Sequence, residues 1–192
     1  SLAPGQPHEH YYVGPTFYGN TSNMVLFNYE PPACIHVIDP EIDDVNRLLP
    51  ELLRDNAQYS NSNVILFNKE AVLPKQFYPN EPDHEWCYYF TKAELARQQN
   101  DWEQVIQLGN KAFALNDYPN DPTERFVFIE GYAHAGNWEK AMELSQVSYK
   151  VSKSFVGPPL CKLWNRIERE TEKTQEQKVT LDIVQNKFEC LP

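Results

Sequence analysis

A nine-residue phrase occurs twice in this chain, and it constrains the fold more than any other feature. Asn100-Asp101-Trp102-Glu103-Gln104-Val105-Ile106-Gln107-Leu108 returns as Gly136-Asn137-Trp138-Glu139-Lys140-Ala141-Met142-Glu143-Leu144. Trp102 and Trp138 lie 36 residues apart, close to the period of stacked helical hairpins. In each copy a turn residue precedes a helix-capping Asp or Asn, followed by apolar residues at helical spacing. The second half of the chain is therefore predicted to be a helical array.

Helical periodicity extends around the repeat. A first helix is predicted over 85–99, a second from Asp101 to about Asn116, and a third from Asp121-Pro122-Thr123-Glu124 to Ala135. A fourth runs from Asn137 to about Ser152 and a fifth from Gly157-Pro158-Pro159 to about Glu170. Thr171–Lys178 reads as a loop and Val179–Phe188 as a last short helix. Before residue 82 the pattern differs. Residues 1–20 carry three prolines and three glycines and read as an irregular lead-in. Met24–Tyr29 and Cys34–Ile38 read as short strands around the turn Glu30–Ala33. A helical pattern from Asp43 to Tyr59 is interrupted at Pro50, which predicts a kink or restart there. Asn63–Asn68 is a further apolar run, strand or buried turn. The fold class is thus α+β, with a small α+β lobe over 1–82 and helical hairpins with capping helices over 83–192.

Composition excludes some functions. The net charge of −10 argues against binding the phosphates of nucleic acid or docking on an anionic membrane face. Aromatic residues make up 13% of the 192, enough to build a substantial core. No apolar run approaches the roughly 20 residues that span a bilayer. The chain begins at Ser1, so an upstream leader or membrane anchor is compatible with it. Cys34, Cys87, Cys161 and Cys190 contain no CxxC pair, which argues against a zinc ribbon. They suit either two disulfides, in any of three pairings, or four buried thiols in a cytoplasmic protein.

The array resembles tetratricopeptide repeats (TPR) over residues 85–170. Asn100-Asp101-Trp102 and Gly136-Asn137-Trp138 match the family's inter-helix turn, Ala141 and Ala112 its small positions, and Tyr132 an aromatic position of the first helix. Val105 and Ala96 depart from the pattern, and Pro119 and Pro122 come late for the closing proline. Because each repeat exposes an apolar face, two repeats need covering at both ends, here by the fifth helix and the lobe. Trp102, Trp138 and Trp164 are then expected in the core. The resemblance implies a groove for a protein or peptide partner, with Phe90, Glu94, Arg97, Phe126, Glu130 and His134 as its candidate lining; the same face could meet the lobe instead.

A weaker resemblance involves Phe17–Ser22, Pro31–Pro40 and Glu85–Tyr89, which are similar to the C-terminal soluble tail of uncharacterised, glycosyltransferase-like bacterial multi-pass membrane proteins. It implies an extracytoplasmic location and disulfides Cys34–Cys87 and Cys161–Cys190, worth about 3–4 kcal/mol each.

No phosphate loop, nucleophile elbow or zinc-protease motif is present, and no cofactor is implied. His8-Glu9-His10 puts two imidazoles on one side of an extended strand but has no further ligands nearby. Asp39, Glu41, Asp43 and Asp44 lack the spacing of a calcium loop and read as helix-entry acids, so no metal is assigned. A hydrolase would need a pocket formed by acids of the lobe, for example Asp39 with His36 and His84. The leading expectation is a non-catalytic protein-interaction module; the alternative is a membrane-protein tail contributing to acceptor or partner binding.

Overall fold

The computed structural model describes residues 3, 5–66, 74, 76–77 and 83–190. The repeated phrase is a repeated local structure. Helix α2 (Trp86–Gln98) leads into α3 (Trp102–Phe113), and α4 (Phe126–His134) into α5 (Trp138–Val151), through the same turn. Asn100 and Gly136 both take the left-handed conformation, at φ 56° and 74°. The next residues, Asp101 and Asn137, share nearly one backbone geometry (φ −85°, ψ 72° and φ −85°, ψ 69°). Asp101 accepts from the Gln104 amide at 3.0 Å and Asn137 from the Lys140 amide at 3.1 Å, satisfying donors the helix start would leave unpaired.

Small residues let the hairpins approach. A Cβ on Gly131 of α4 would lie 2.5 Å from Val105 Cγ1 of α3, and one on Gly109 of α3 would lie 2.8 Å from the Phe128 ring of α4. The array is closed by α6 (Lys153–Glu170) and α7 (Gln175–Phe188). Helix α6 begins four residues before the expected Gly157. Pro158 and Pro159 fall in its second turn, where the carbonyls they leave without donors belong to the exposed Ser154 and Phe155. Helix α7 likewise begins at Gln175, not Val179, because Thr174 caps it by accepting from the Gln177 amide at 3.1 Å.

The core runs through these helices. Trp86, Phe90, Phe128, Leu160, Leu163 and Trp164 are buried, and the Trp164 indole donates to Ser145 Oγ at 3.1 Å. Trp102 and Trp138, expected in the core, are only half-buried. Each opens its helix directly after the cap, so one side of the indole packs inward and the other faces solvent.

The lobe contains two two-stranded antiparallel sheets. Where an irregular lead-in was expected, β1 (Pro7–Tyr11) pairs with β2 (Thr16–Asn20) as a hairpin. Gly14, at φ 112°, makes its turn, and Pro7 sits at the start of a strand, where a missing amide is tolerated. The second pair, β3 (Phe27–Asn28) with β4 (His36–Val37), lies within the two predicted strands. Pro50 restarts the chain as expected: α1 (Glu51–Asp55) begins immediately after it. Ile38, Leu49 and Ala57 form a small core of the lobe, whereas Cys34 and Ile42 join the core of the helices. The apolar run 63–68 forms a 3-10 turn up to Val64; Phe67 and Asn68 lie outside the described residues. No helix among the described residues is long and apolar enough to cross a membrane.

Candidate functional site

Three helices each present a pair of polar side chains one turn apart toward the lobe: Glu94 and Arg97 from α2, Glu130 and His134 from α4, Arg166 and Glu170 from α6. Into their midst comes the turn that follows β4. Asp39 organises this turn. Its carbonyl accepts from the Ile42 and Asp43 amides, at 3.2 and 2.9 Å, and its Oδ1 accepts from the Glu41 amide at 3.0 Å. Asp43, fully buried, accepts from the Asp39 amide at 2.7 Å and from Asn46 Nδ2 at 2.9 Å, and pairs with His36 Nε2 at 2.6 Å.

Asp39 Oδ2 is then free for the helices. Arg166 reaches it at 2.6 Å and Arg97 at 3.5 Å. Arg166 also grips Glu130 with two donors, Nε to Oε1 at 2.7 Å and Nη2 to Oε2 at 2.9 Å. Arg97 pairs with Glu94 at 3.0 Å and lies 4.0 Å from Glu130. Glu130 is 1% exposed. Burial of this kind is tolerated only because each charge meets a geometrically matched partner. Burial pushes the Asp39 carboxyl upward, but Arg97 and Arg166 outweigh it and hold the group below its usual range. The carboxylates likewise outweigh burial at both arginines and raise them further. Toward solvent, Asp44 pairs with Lys162 at 2.6 Å and Glu41 with Arg169 at 2.9 Å.

The docked segment is also covalently secured. Cys34 is bonded to Cys87 at the start of α2, and its amide donates to Glu124 Oε1 at 2.8 Å. A second disulfide, Cys161–Cys190, ties the chain's end to α6. Two disulfides suit an oxidising, extracytoplasmic setting.

Among the six residues drawn from the repeat, Glu94, Arg97 and Glu130 belong to the charge network, and His134 lies next to it. Phe90 and Phe126 are buried against neighbouring helices. His134 stacks on Trp102 with ring centroids 3.8 Å apart and planes within 8°. Burial lowers its pKa, opposed by the Glu130 charge and helped by that of Arg166. Glu170, at the mouth of the site, is pushed up by burial and by the Glu130 charge. Sequence reasoning missed Arg166 and Glu170. Their signal was one of spacing: three helices carry polar pairs three or four residues apart, a pattern that also describes an ordinary wet helix face.

A polar cleft of ≈ 420 Å³ opens above the network, lined by Asp39, Asn100, Trp102, Glu130 and Glu170 among others. His84 stacks on Tyr88 at 3.6 Å. His8 and His10 share one face of β1, as expected of an extended strand, with ring centroids 6.4 Å apart.

A separate surface lies on the hairpin. Tyr11, Tyr12, Val13, Phe17 and Tyr18 are all more than half exposed. Beside them an apolar hollow of ≈ 690 Å³ is lined by Phe17, Tyr18, Met24 and His8 with neighbouring main chain. No family model, curated protein or solved structure matches this chain.

Proposed function

We propose that this chain is a non-catalytic protein-interaction module of the extracytoplasmic space, built on a TPR-like array, and that its partner docks on the aromatic hairpin. The observation that carries this reading is the cluster of Tyr11, Tyr12, Val13, Phe17 and Tyr18 in solvent on one two-stranded ribbon. By the register Tyr11 and Tyr18 share one face of the ribbon and Phe17 lies on the other, and exposed aromatics concentrated on so short an element are characteristic of interfaces, in which tyrosine is enriched. In a TPR-like reading α2 and α4 are the first helices of two repeats, whose inner face receives extended peptides. Here the chain's own segment, from Cys34 to Asp43, lies against that face through Asp39 and Cys34. A tethered occupant raises the barrier to a competing peptide, which leaves the hairpin as the accessible surface.

A second reading rests on the polar cleft. Trp102 beside Asn100, Asp39 and Glu170 offers an aromatic face with several hydrogen-bonding groups, suited to an acceptor molecule presented by a membrane-bound neighbour.

Photocrosslinking in the source cells tests the first reading. A photoreactive phenylalanine analogue at Tyr18 is expected to give a discrete adduct that Tyr12→Ser with Phe17→Ser abolishes. The same analogue at Tyr118, an exposed aromatic away from the hairpin, is the control. No adduct at position 18, or the same adduct at 118, would count against the hairpin.

A further inference from the structure

We propose that Glu130, His134 and Glu170 form a binding site for one divalent transition-metal cation of the zinc class. One ligand atom from each residue lies within 4.8 Å of the other two. Three atoms so placed surround a point about 2.8 Å or less from each, and a shift of roughly 0.6–0.8 Å per ligand brings them to zinc distances of about 2.0–2.2 Å. Glu130 and His134 stand four residues apart on α4, so they project from one helix face, and Glu170 reaches across from the end of α6.

The imidazole is the clearest sign. His134 Nε2 is buried and makes no hydrogen bond. Its nearest acidic neighbour, Glu170 Oε2, is 3.9 Å away, too far for a hydrogen bond and suitable for two ligands of one ion. A buried ring nitrogen without a partner is uncommon, and here it is aimed between two carboxylates. Stacking on Trp102 fixes the plane of the ring.

The charges point the same way. Around the site the five carboxylates of Asp39, Glu41, Glu94, Glu130 and Glu170 meet the three guanidinium groups of Arg97, Arg166 and Arg169. The cluster therefore carries two negative charges in excess, which one divalent ion would neutralise. The Arg166 fork on Glu130 orients that carboxylate while leaving lone pairs unused, the usual arrangement for a ligand held from behind. One imidazole and two carboxylates suit zinc or a similar borderline cation; calcium requires six to eight oxygens and finds too few. The cleft above Glu130 and Glu170 leaves room for water in the remaining position.

The test uses the full 192-residue chain with its disulfides intact, stripped with chelator and then titrated with zinc chloride by calorimetry. Cobalt(II), followed by its visible absorption, reports the ligand set. We expect one equivalent to bind, and His134→Ala and Glu170→Gln each to weaken binding about tenfold or more. His8→Ala with His10→Ala, which removes the stacked histidines of β1, is expected to leave binding unchanged. Glu170 is 41% exposed, so Glu170→Gln folds even where His134→Ala does not, and circular dichroism checks both. Absence of binding, equal binding in Glu170→Gln, or loss of binding with the His8/His10 variant would each overturn the assignment.

Discussion

Replacing Arg166 with Met removes three short, charge-assisted hydrogen bonds at once: 2.7 and 2.9 Å to Glu130 and 2.6 Å to Asp39. Met keeps an unbranched stem of similar reach, so the change falls on charge rather than packing. Glu130 would be left with Arg97 at 4.0 Å and Asp39 with the same Arg97 at 3.5 Å, while Arg97 still holds Glu94. One guanidinium cannot satisfy three carboxylates, of which Glu130 is buried and Asp39 and Glu94 are partly so. Breaking a buried pair from one side costs about 3–5 kcal/mol, and we expect about 4 kcal/mol here. The double variant Arg166→Met with Glu130→Met also removes the stranded carboxylate. It should be more stable than Arg166→Met alone by about 1–3 kcal/mol, because apolar replacement of a whole buried pair is often neutral. Urea unfolding at pH 7 in the presence of chelator, with the disulfides intact, measures the two single variants, Arg166→Met and Glu130→Met, and the double variant. A cost below about 1 kcal/mol for Arg166→Met, or a double-variant cost equal to the sum of the single ones, would refute the reasoning.

Other perturbations have equally definite outcomes. Converting Cys34 and Cys87 to Ala opens a loop spanning 53 residues and should cost about 4 kcal/mol, read as a lower thermal midpoint; a midpoint within a degree or two of the parent's contradicts the chain-entropy account. Burial alone would lower the His36 pKa, but the charge and hydrogen bond of Asp43, with Glu94 and Asp121 adding, raise it from 6.5 to about 9. A raised folded-state value means that the contribution is complete below pH 6.5 and lost as pH climbs through about 9. Stability should therefore fall over that window by at most about 3 kcal/mol, and His36→Gln should flatten the profile in a pH series of urea melts. Trp164→Ala should cost about 3–5 kcal/mol by the same melts, and the half-buried Trp138→Ala only about 1–2; the reverse ranking would contradict the burial of the two indoles.

Local signals in the sequence carried the helical half. Asp101 and Asn137 were readable as caps because an N-cap is set by a few adjacent residues, and Pro50 was readable as a restart because its ring forbids a continuous helix. The starts of α6 and α7 were missed where a weaker signal competed with a stronger one. Pro158 and Pro159 mark a beginning more loudly than Ser152 does, and Thr174 was hidden in a polar stretch. The β1–β2 hairpin was obscured by Gly14 and two prolines, which belong to its turn and edge rather than to an irregular coil. The repeat pointed to Glu94, Arg97, Glu130 and His134, but their burial and their partners Arg166 and Glu170 were not legible, for a different reason. Glu94, Arg97, Glu130 and Arg166 are spaced like solvated helix charges, and what buries them is Asp39, which lies 127 residues from Arg166. Periodicity carries no information across that distance.

The connectivity of the disulfides has a consequence for how the chain acquires them. Cys34–Cys87 and Cys161–Cys190 do not interleave, and the first pair lies wholly before the second. A chain threaded through a membrane from its N-terminus exposes Cys34 and Cys87 to oxidant while Cys161 and Cys190 are still out of reach. Two of the three possible pairings need a cysteine that has not yet arrived. The lobe, by contrast, meets its main electrostatic anchor only when Arg166 emerges. On such a route covalent attachment would precede docking: the early bond would hold Asp39 near α2 until the helix that clasps it has been delivered, and order of arrival would sort the cysteines without a reshuffling step.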